Sequence, residues 1–103
     1  MYKLSVFIPE SHLEAVKSAL FIAGAGRIGN YDCCSWQTSG QGQFRALENS
    51  QPYIGKKGDI EQVNEYKVEM VCEDHLIRDT IAAMKQAHPY EEPAYDAWKL
   101  EKI

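Results

Sequence analysis

The sequence predicts an α+β fold, a ferredoxin-like sandwich of two β-α-β units. An antiparallel four-stranded sheet is expected to carry both helices on one face. Three observations predict it. Each flank of the chain reads strand, helix, strand, and the second flank repeats the first at an offset of about sixty residues. All seven glycines fall between positions 24 and 58, so the unusual backbone is confined to the middle third. The length of 103 residues suits one small domain, spanning 1–103, with one core and a folded surface of roughly 5,900 Å².

The elements follow in order. Tyr2, Leu4, Val6 and Ile8 alternate with Lys3, Ser5 and Phe7, the period of a strand covered mainly on one face, and Pro9 ends it. Ser11 and Glu14 form a capping-box pattern that predicts a helix from about His12. Leu13, Val16, Leu20 and either Phe21 or Ile22 make its buried stripe, and Gly24 stands where a left-handed cap belongs. Residues 30–37 read as a second strand. Residues 38–42 read as a turn, and residues 43–47 as a short hairpin partner, so that a hairpin and loop excursion occupies about 38–60. Residues 61–73 alternate again, with a slip near Asn64 that suggests a bulge. Asp74 can cap a second helix with an apolar stripe of Leu76, Ile77, Ile81, Met84 and Ala87, which Pro89 stops. Residues 94–100 read as the last strand. Such a sheet leaves its second face bare. Phe7, Val71, Trp36, Trp98 and Tyr95 are candidates for that face or for the helix side, and an uncovered apolar face favours self-association.

Composition narrows the function. Apolar residues make up 45% and charged residues 25%, and mean hydropathy is −0.43. With no apolar run near the ~20 residues of a span, no transmembrane helix is expected, and the N-terminus shows no signal-peptide pattern. The net charge of −4 disfavours nucleic acid and anionic membranes as partners. The charge is uneven: residues 1–58 carry six Lys/Arg against four Asp/Glu, and residues 59–103 five against eleven. Cys33, Cys34 and Cys72 are odd in number, which points to a reducing compartment and a cytoplasmic location.

Few segments carry chemistry. Residues 24–29, Gly-Ala-Gly-Arg-Ile-Gly, match the glycine string of dinucleotide-binding folds, yet they follow a predicted helix and lead into a strand. Phosphate binding needs the opposite order, so that helix amides face the anion. The string therefore reads as a helix cap and tight connection, and no nicotinamide or flavin cofactor is expected. Cys33 and Cys34 fall in a predicted strand with their side chains on opposite faces, an awkward arrangement for chelating one ion. His12 and His75 sit in first helical turns. Lys56 and Lys57 are only a weak phosphate signal.

Residues 87–96, Ala-His-Pro-Tyr-Glu-Glu-Pro-Ala-Tyr-Asp, are the most distinctive stretch. Two prolines stiffen a connector that gathers His88, Glu91, Glu92 and Asp96. One reading is structural, with His88 in its charged form stabilised at a helix C-terminus and the carboxylates solvated. The other makes His88, Glu91 and Glu92 the ligands of a small molecule or a divalent metal. No nucleophile and base can be paired, and no catalytic residue is named.

Four ordered segments together carry a resemblance: residues 24–36, 40–44, 52–55 and 88–96. Over practically the whole chain they resemble the insert domain of the YqfO (Nif-three-like) dinuclear-metal proteins. The His-Pro-Tyr-Glu stretch is also similar to the CutA divalent-tolerance proteins. The resemblance implies a PII/CutA-like domain assembled as a trimer. It also implies that the two-metal site belongs to flanking halves of the long members, so that none of the motif positions here is a ligand of that site. The chain is thus expected to be a stand-alone, non-enzymatic binding or regulatory module, with itself as first partner and a small molecule or protein as second. A CutA-like divalent-metal protein using the His88 segment is the alternative.

Overall fold

The computed structural model describes residues 1–103. Its elements are β1 (Tyr2–Pro9), α1 (Leu13–Ile22), β2 (Trp36–Arg45), β3 (Ile60–Cys72), α2 (Ile77–Ala87) and β4 (Tyr95–Lys99), with a 3-10 turn before each helix at Glu10–His12 and Asp74–Leu76. The strand order is β2-β3-β1-β4, and every pairing is antiparallel. This is the α+β sandwich predicted from the two β-α-β flanks.

The even-numbered side chains of β1 and β3 face the helices. Leu4, Val6 and Ile8 meet Val68, Met70 and Cys72 there, beneath Leu13, Val16 and Leu20 of α1 and Ile77 and Met84 of α2. Both helical stripes recur at three- and four-residue spacing, which lays one face of each helix along the sheet. Each such Leu, Ile or Met contributes on the order of 1.5–3 kcal/mol when fully buried. Phe21 packs against this core, whereas Ile22 is 83% exposed, which decides between the two. Pro89 stops α2 as predicted: the chain is already extended at His88, with φ −77° and ψ 136°.

Several local expectations are corrected. Ser11 caps no helix; its Oγ lies 2.8 Å from His12 Nδ1, and α1 begins after the 3-10 turn. Asp74 caps none either, because its carboxylate is taken by the Met1 amino group and by Lys99. Residues 30–35 are not a strand. Ile28 and Tyr31 close a small turn, and Cys33 sits at φ 53°, the one residue other than glycine with positive φ. Cys33 and Cys34 therefore do not alternate across a strand; Cys33 is exposed, Cys34 half-buried and Cys72 buried. Gly26, at φ 78°, donates its amide to Val71 O and accepts from Cys34 N–H, both at 2.8 Å. A Cβ there would strike Phe21 and the Cys34 carbonyl, so the glycine string is a helix exit sewn to the sheet.

The largest correction concerns residues 38–47. Gly40 and Gly42 do not turn the chain but lie within β2, which pairs without interruption from Trp36↔Glu69 to Arg45↔Ile60. The hairpin is therefore formed by β2 and β3, and its loop is 46–59. No bulge occurs at Asn64, which pairs with Gln41 in unbroken register. The apparent slip arises because the shielded face changes: Tyr66, Val68 and Met70 face the helices, while Glu61, Val63 and Glu65 are shielded on the other side. Because β1 ends opposite Glu65, residues 41–45 and 60–64 project as a two-stranded arm. The molecule measures 46 × 24 × 24 Å. Its surface of 6,964 Å² exceeds the ~5,900 Å² of a compact chain of this mass.

Across the uncovered face, register settles the aromatic candidates. Trp36, Val71, Trp98 and Phe7 lie on it, whereas Tyr95 pairs with Val6 and packs toward the helices. Trp36 and Trp98 are 62% and 45% exposed.

Candidate functional site

The arm, its loop and the connector after α2 enclose a cavity of about 790 Å³. Phe44 enters it from the arm, Glu65 from β3 where the arm begins, Tyr53 from the loop, Phe7 from β1, and Tyr90, Glu91 and Glu92 from the connector. The volume is that of a small-molecule site.

His88 builds the connector wall. It is 6% exposed, and both ring nitrogens are engaged. Nε2 stands 2.8 Å from the carbonyl oxygen of Phe7, which can only accept, so Nε2 carries the proton. Nδ1 accepts the Tyr90 amide at 3.2 Å. The ring is thus neutral, and burial holds its pKa below the ordinary histidine value, against the opposing pull of the Phe7 carbonyl. The expectation of a charged His88 at a helix end is corrected: burial lowers its pKa, and Nδ1 is taken as an acceptor by the Tyr90 amide. His88 fixes Tyr90, whose ring centroid lies 4.9 Å away.

Tyr90 faces Phe44 and Tyr53, each at 6.2 Å between centroids and tilted by 53° and 50°, and His12 meets Tyr53 edge-on at 5.8 Å. These rings form one continuous wall. The Tyr90 hydroxyl is buried without a hydrogen-bond partner. Burial raises its pKa above the ordinary tyrosine value, and Glu65 and Tyr53 push the same way. Glu65 reaches across the space left by Gly42, where a Cβ would overlap its carboxylate. Burial raises its pKa above the usual carboxylate range.

Of the residues singled out in the sequence, Glu91 and Glu92 line the cavity and His88 stands behind its wall. Glu91 Oε2 accepts the Gln51 amide at 3.0 Å, tying the connector to the loop. Within one chain no three His, Cys, Asp or Glu side chains gather in an arrangement that could hold a metal ion. Phe44 and Tyr53 fall in the segments 40–44 and 52–55 that carry the resemblance, whereas Glu65 has no motif of its own and is brought to them by the β2–β3 register.

Comparison with known proteins places the chain. No family model matches it. It is 46% identical over 100 residues to a Halalkalibacterium halodurans protein named GTP cyclohydrolase 1 type 2 homolog, covering 97% of this chain and 27% of the relative. The Mycobacterium tuberculosis protein of the same name is 46% identical over 98 residues, covering 95% of this chain and 26% of the relative. The chain therefore spans about a quarter of the length of these curated relatives. Among solved structures, a Bacillus cereus protein related to NIF3 superposes with a TM-score of 0.84 at 42% identity, over 98% of this chain and 26% of that one. The periplasmic divalent cation tolerance protein CutA of Archaeoglobus fulgidus superposes with a TM-score of 0.70 at 16% identity, over 100% and 87%, a likeness of fold alone. No helix is long and apolar enough to cross a membrane. The chain is homologous to one domain of the NIF3-related proteins, built on a CutA-like fold.

Proposed function

We propose that this chain is a non-enzymatic binding or regulatory module that acts as a homotrimer and takes a small molecule in the cavity under residues 46–59. The observation that carries the binding reading is a cavity of about 790 Å³ in which the Tyr90 hydroxyl is buried without a partner. Such a group is costly to leave unsatisfied, and a ligand would satisfy it. Glu91 and Glu92 stand at the same cavity as ligand contacts, and His88 acts by holding Tyr90. The engaged state of both His88 nitrogens favours binding over acid–base catalysis. Exposed Trp36 and Trp98 on the uncovered face, together with the projecting arm, support assembly with further copies. Three cysteines free of disulfides support a reducing, cytoplasmic setting.

Two measurements test this reading. Light scattering should return three times the 11.7 kDa chain mass, and a monomer at every concentration overturns the trimer. An NMR screen with small aromatic and polar fragments should shift the amides of Phe44, Tyr53, Glu65 and Tyr90 together. Fragment shifts scattered elsewhere overturn the cavity as the binding site.

A further inference from the structure

We infer that the cavity under residues 46–59 selects organic cations, an ammonium group carried on a small apolar or aromatic body. The inference rests on the binding role of that cavity and names the chemistry it accepts. Four carboxylates line it, Glu48, Glu65, Glu91 and Glu92, against one guanidinium, Arg45. That balance rejects an anionic ligand. The wall of Phe44, Tyr53 and Tyr90 offers aromatic faces, whose negative quadrupole attracts a cation that has shed water.

Glu65 decides the sign of the charge. Its carboxylate lies in the space vacated by Gly42, at the same cavity as those rings, with no hydrogen bond and no ion pair. Burial without a partner penalises its ionised form, as its raised pKa reflects. A bound ammonium restores the missing counter-charge and lies beside the oxygen of the unpartnered Tyr90 hydroxyl. Glu91 accepts the Gln51 amide and so ties the connector to the loop beside the cavity. The apolar body of the ligand packs against Phe7 and the aromatic wall.

Three probes of similar size separate the cases: benzyltrimethylammonium, benzyl alcohol and benzoate, each titrated into the intact protein with the amides of Phe44, Tyr53, Glu65 and Tyr90 followed by NMR. The cation should saturate these shifts, the alcohol should bind about tenfold more weakly, and benzoate should leave them unmoved. Glu65→Gln should weaken the cation about tenfold and leave the alcohol unchanged. Glu91→Gln, at the rim, should have a smaller effect, and it gives a second reading should Glu65→Gln disturb the fold. Equal binding of cation and alcohol, or preference for benzoate, overturns the charge selection while leaving the cavity as a binding site. Silence from all three probes overturns both.

Discussion

Strand β3 crosses two environments, and the contrast divides the molecule. From Tyr66 to Cys72 it pairs with β1, and as far as Glu69 with β2 as well, beneath two helices, and its inward Val68, Met70 and Cys72 are buried. From Ile60 to Asn64 it has β2 alone for company, and its residues are half-buried or exposed. The β2–β3 ladder runs unbroken from Ile60 to Glu69, whereas β1 pairs only from Glu65 onward. The difference in burial comes from what covers the faces. The covered half supplies the apolar burial that holds the fold, while the cavity opens where β1 ends, beside Phe44 of the arm and the connector that carries the unpartnered Tyr90 hydroxyl. At Glu65, where β1 ends and the arm begins, the chain keeps a half-buried carboxylate that a core would not tolerate.

The strongest way to break this contrast is to delete equal chemistry from each half. Leu20→Ala, in α1 over the covered half, should cost about 2–5 kcal/mol by urea denaturation, since Leu20 is fully buried. Val63→Ala, in the arm, should cost less than about 1 kcal/mol in a dilute monomer, because it loses only half-buried cross-strand contact. If Val63→Ala costs as much as Leu20→Ala, the arm is packed by something, and repeating the measurement across the assembly concentration would identify a second copy as the cover.

His88 joins the two halves. His88→Ala leaves the Phe7 carbonyl and the Tyr90 amide without their partner and should cost about 1–3 kcal/mol. The pH dependence has a defined sign. The folded ring resists protonation and the unfolded ring accepts it near its ordinary value of 6.5. Below that value the unfolded state binds the extra proton, so stability falls as pH drops from 6.5 toward the lowered folded value. Denaturation midpoints from pH 8 to pH 5 should show this decline in the parent and lose it in His88→Ala. A parent as stable at pH 5 as at pH 8 would contradict the buried, neutral ring.

What the sequence made legible follows the same division. Tyr2 to Ile8, the stripes Leu13–Val16–Leu20 and Ile77–Met84, and the stop at Pro89 were readable because one-sided burial imposes its period on the residues. The arm has no such side. Gly40 and Gly42 looked like a turn because turn chemistry and a half-empty strand use the same residue. Residues 30–35 looked like a strand by content, yet Cys33 is held left-handed in a loop. Ser11 and Asp74 had the composition of caps but found other partners, His12 for one and Lys99 with the Met1 amino group for the other. In the site, the proline-framed connector drew attention to His88, Glu91 and Glu92. Phe44 and Tyr53 belong to the segments 40–44 and 52–55 that carry the resemblance, but Glu65 reaches them only through the strand register, and register is not written in any one segment.

The smallest expected effect is also the sharpest test of that register. Gly40 and Gly42 lie two apart on β2, in extended backbone without positive φ. A Cβ on Gly40 would meet nothing, whereas one on Gly42 would overlap the Glu65 carboxylate. Gly40→Ala should therefore be neutral or stabilising by a few tenths of a kcal/mol, since alanine loses less backbone entropy. Gly42→Ala should shift stability by less than about 1 kcal/mol, because the displaced group is the free end of a flexible side chain. Their effects on the cavity should differ sharply. Moving Glu65 withdraws charge from beside Tyr90, so Gly42→Ala should lower the Tyr90 hydroxyl pKa toward its ordinary value and shift the Tyr53 and Tyr90 amides, while Gly40→Ala leaves both unmoved. If the two variants perturb Tyr90 alike, Glu65 does not occupy the space beside Gly42, and the arm's glycines serve strand geometry alone. If they differ as expected, the two glycines divide the labour: one permits the strand, the other makes room for a carboxylate that the fold itself does not require.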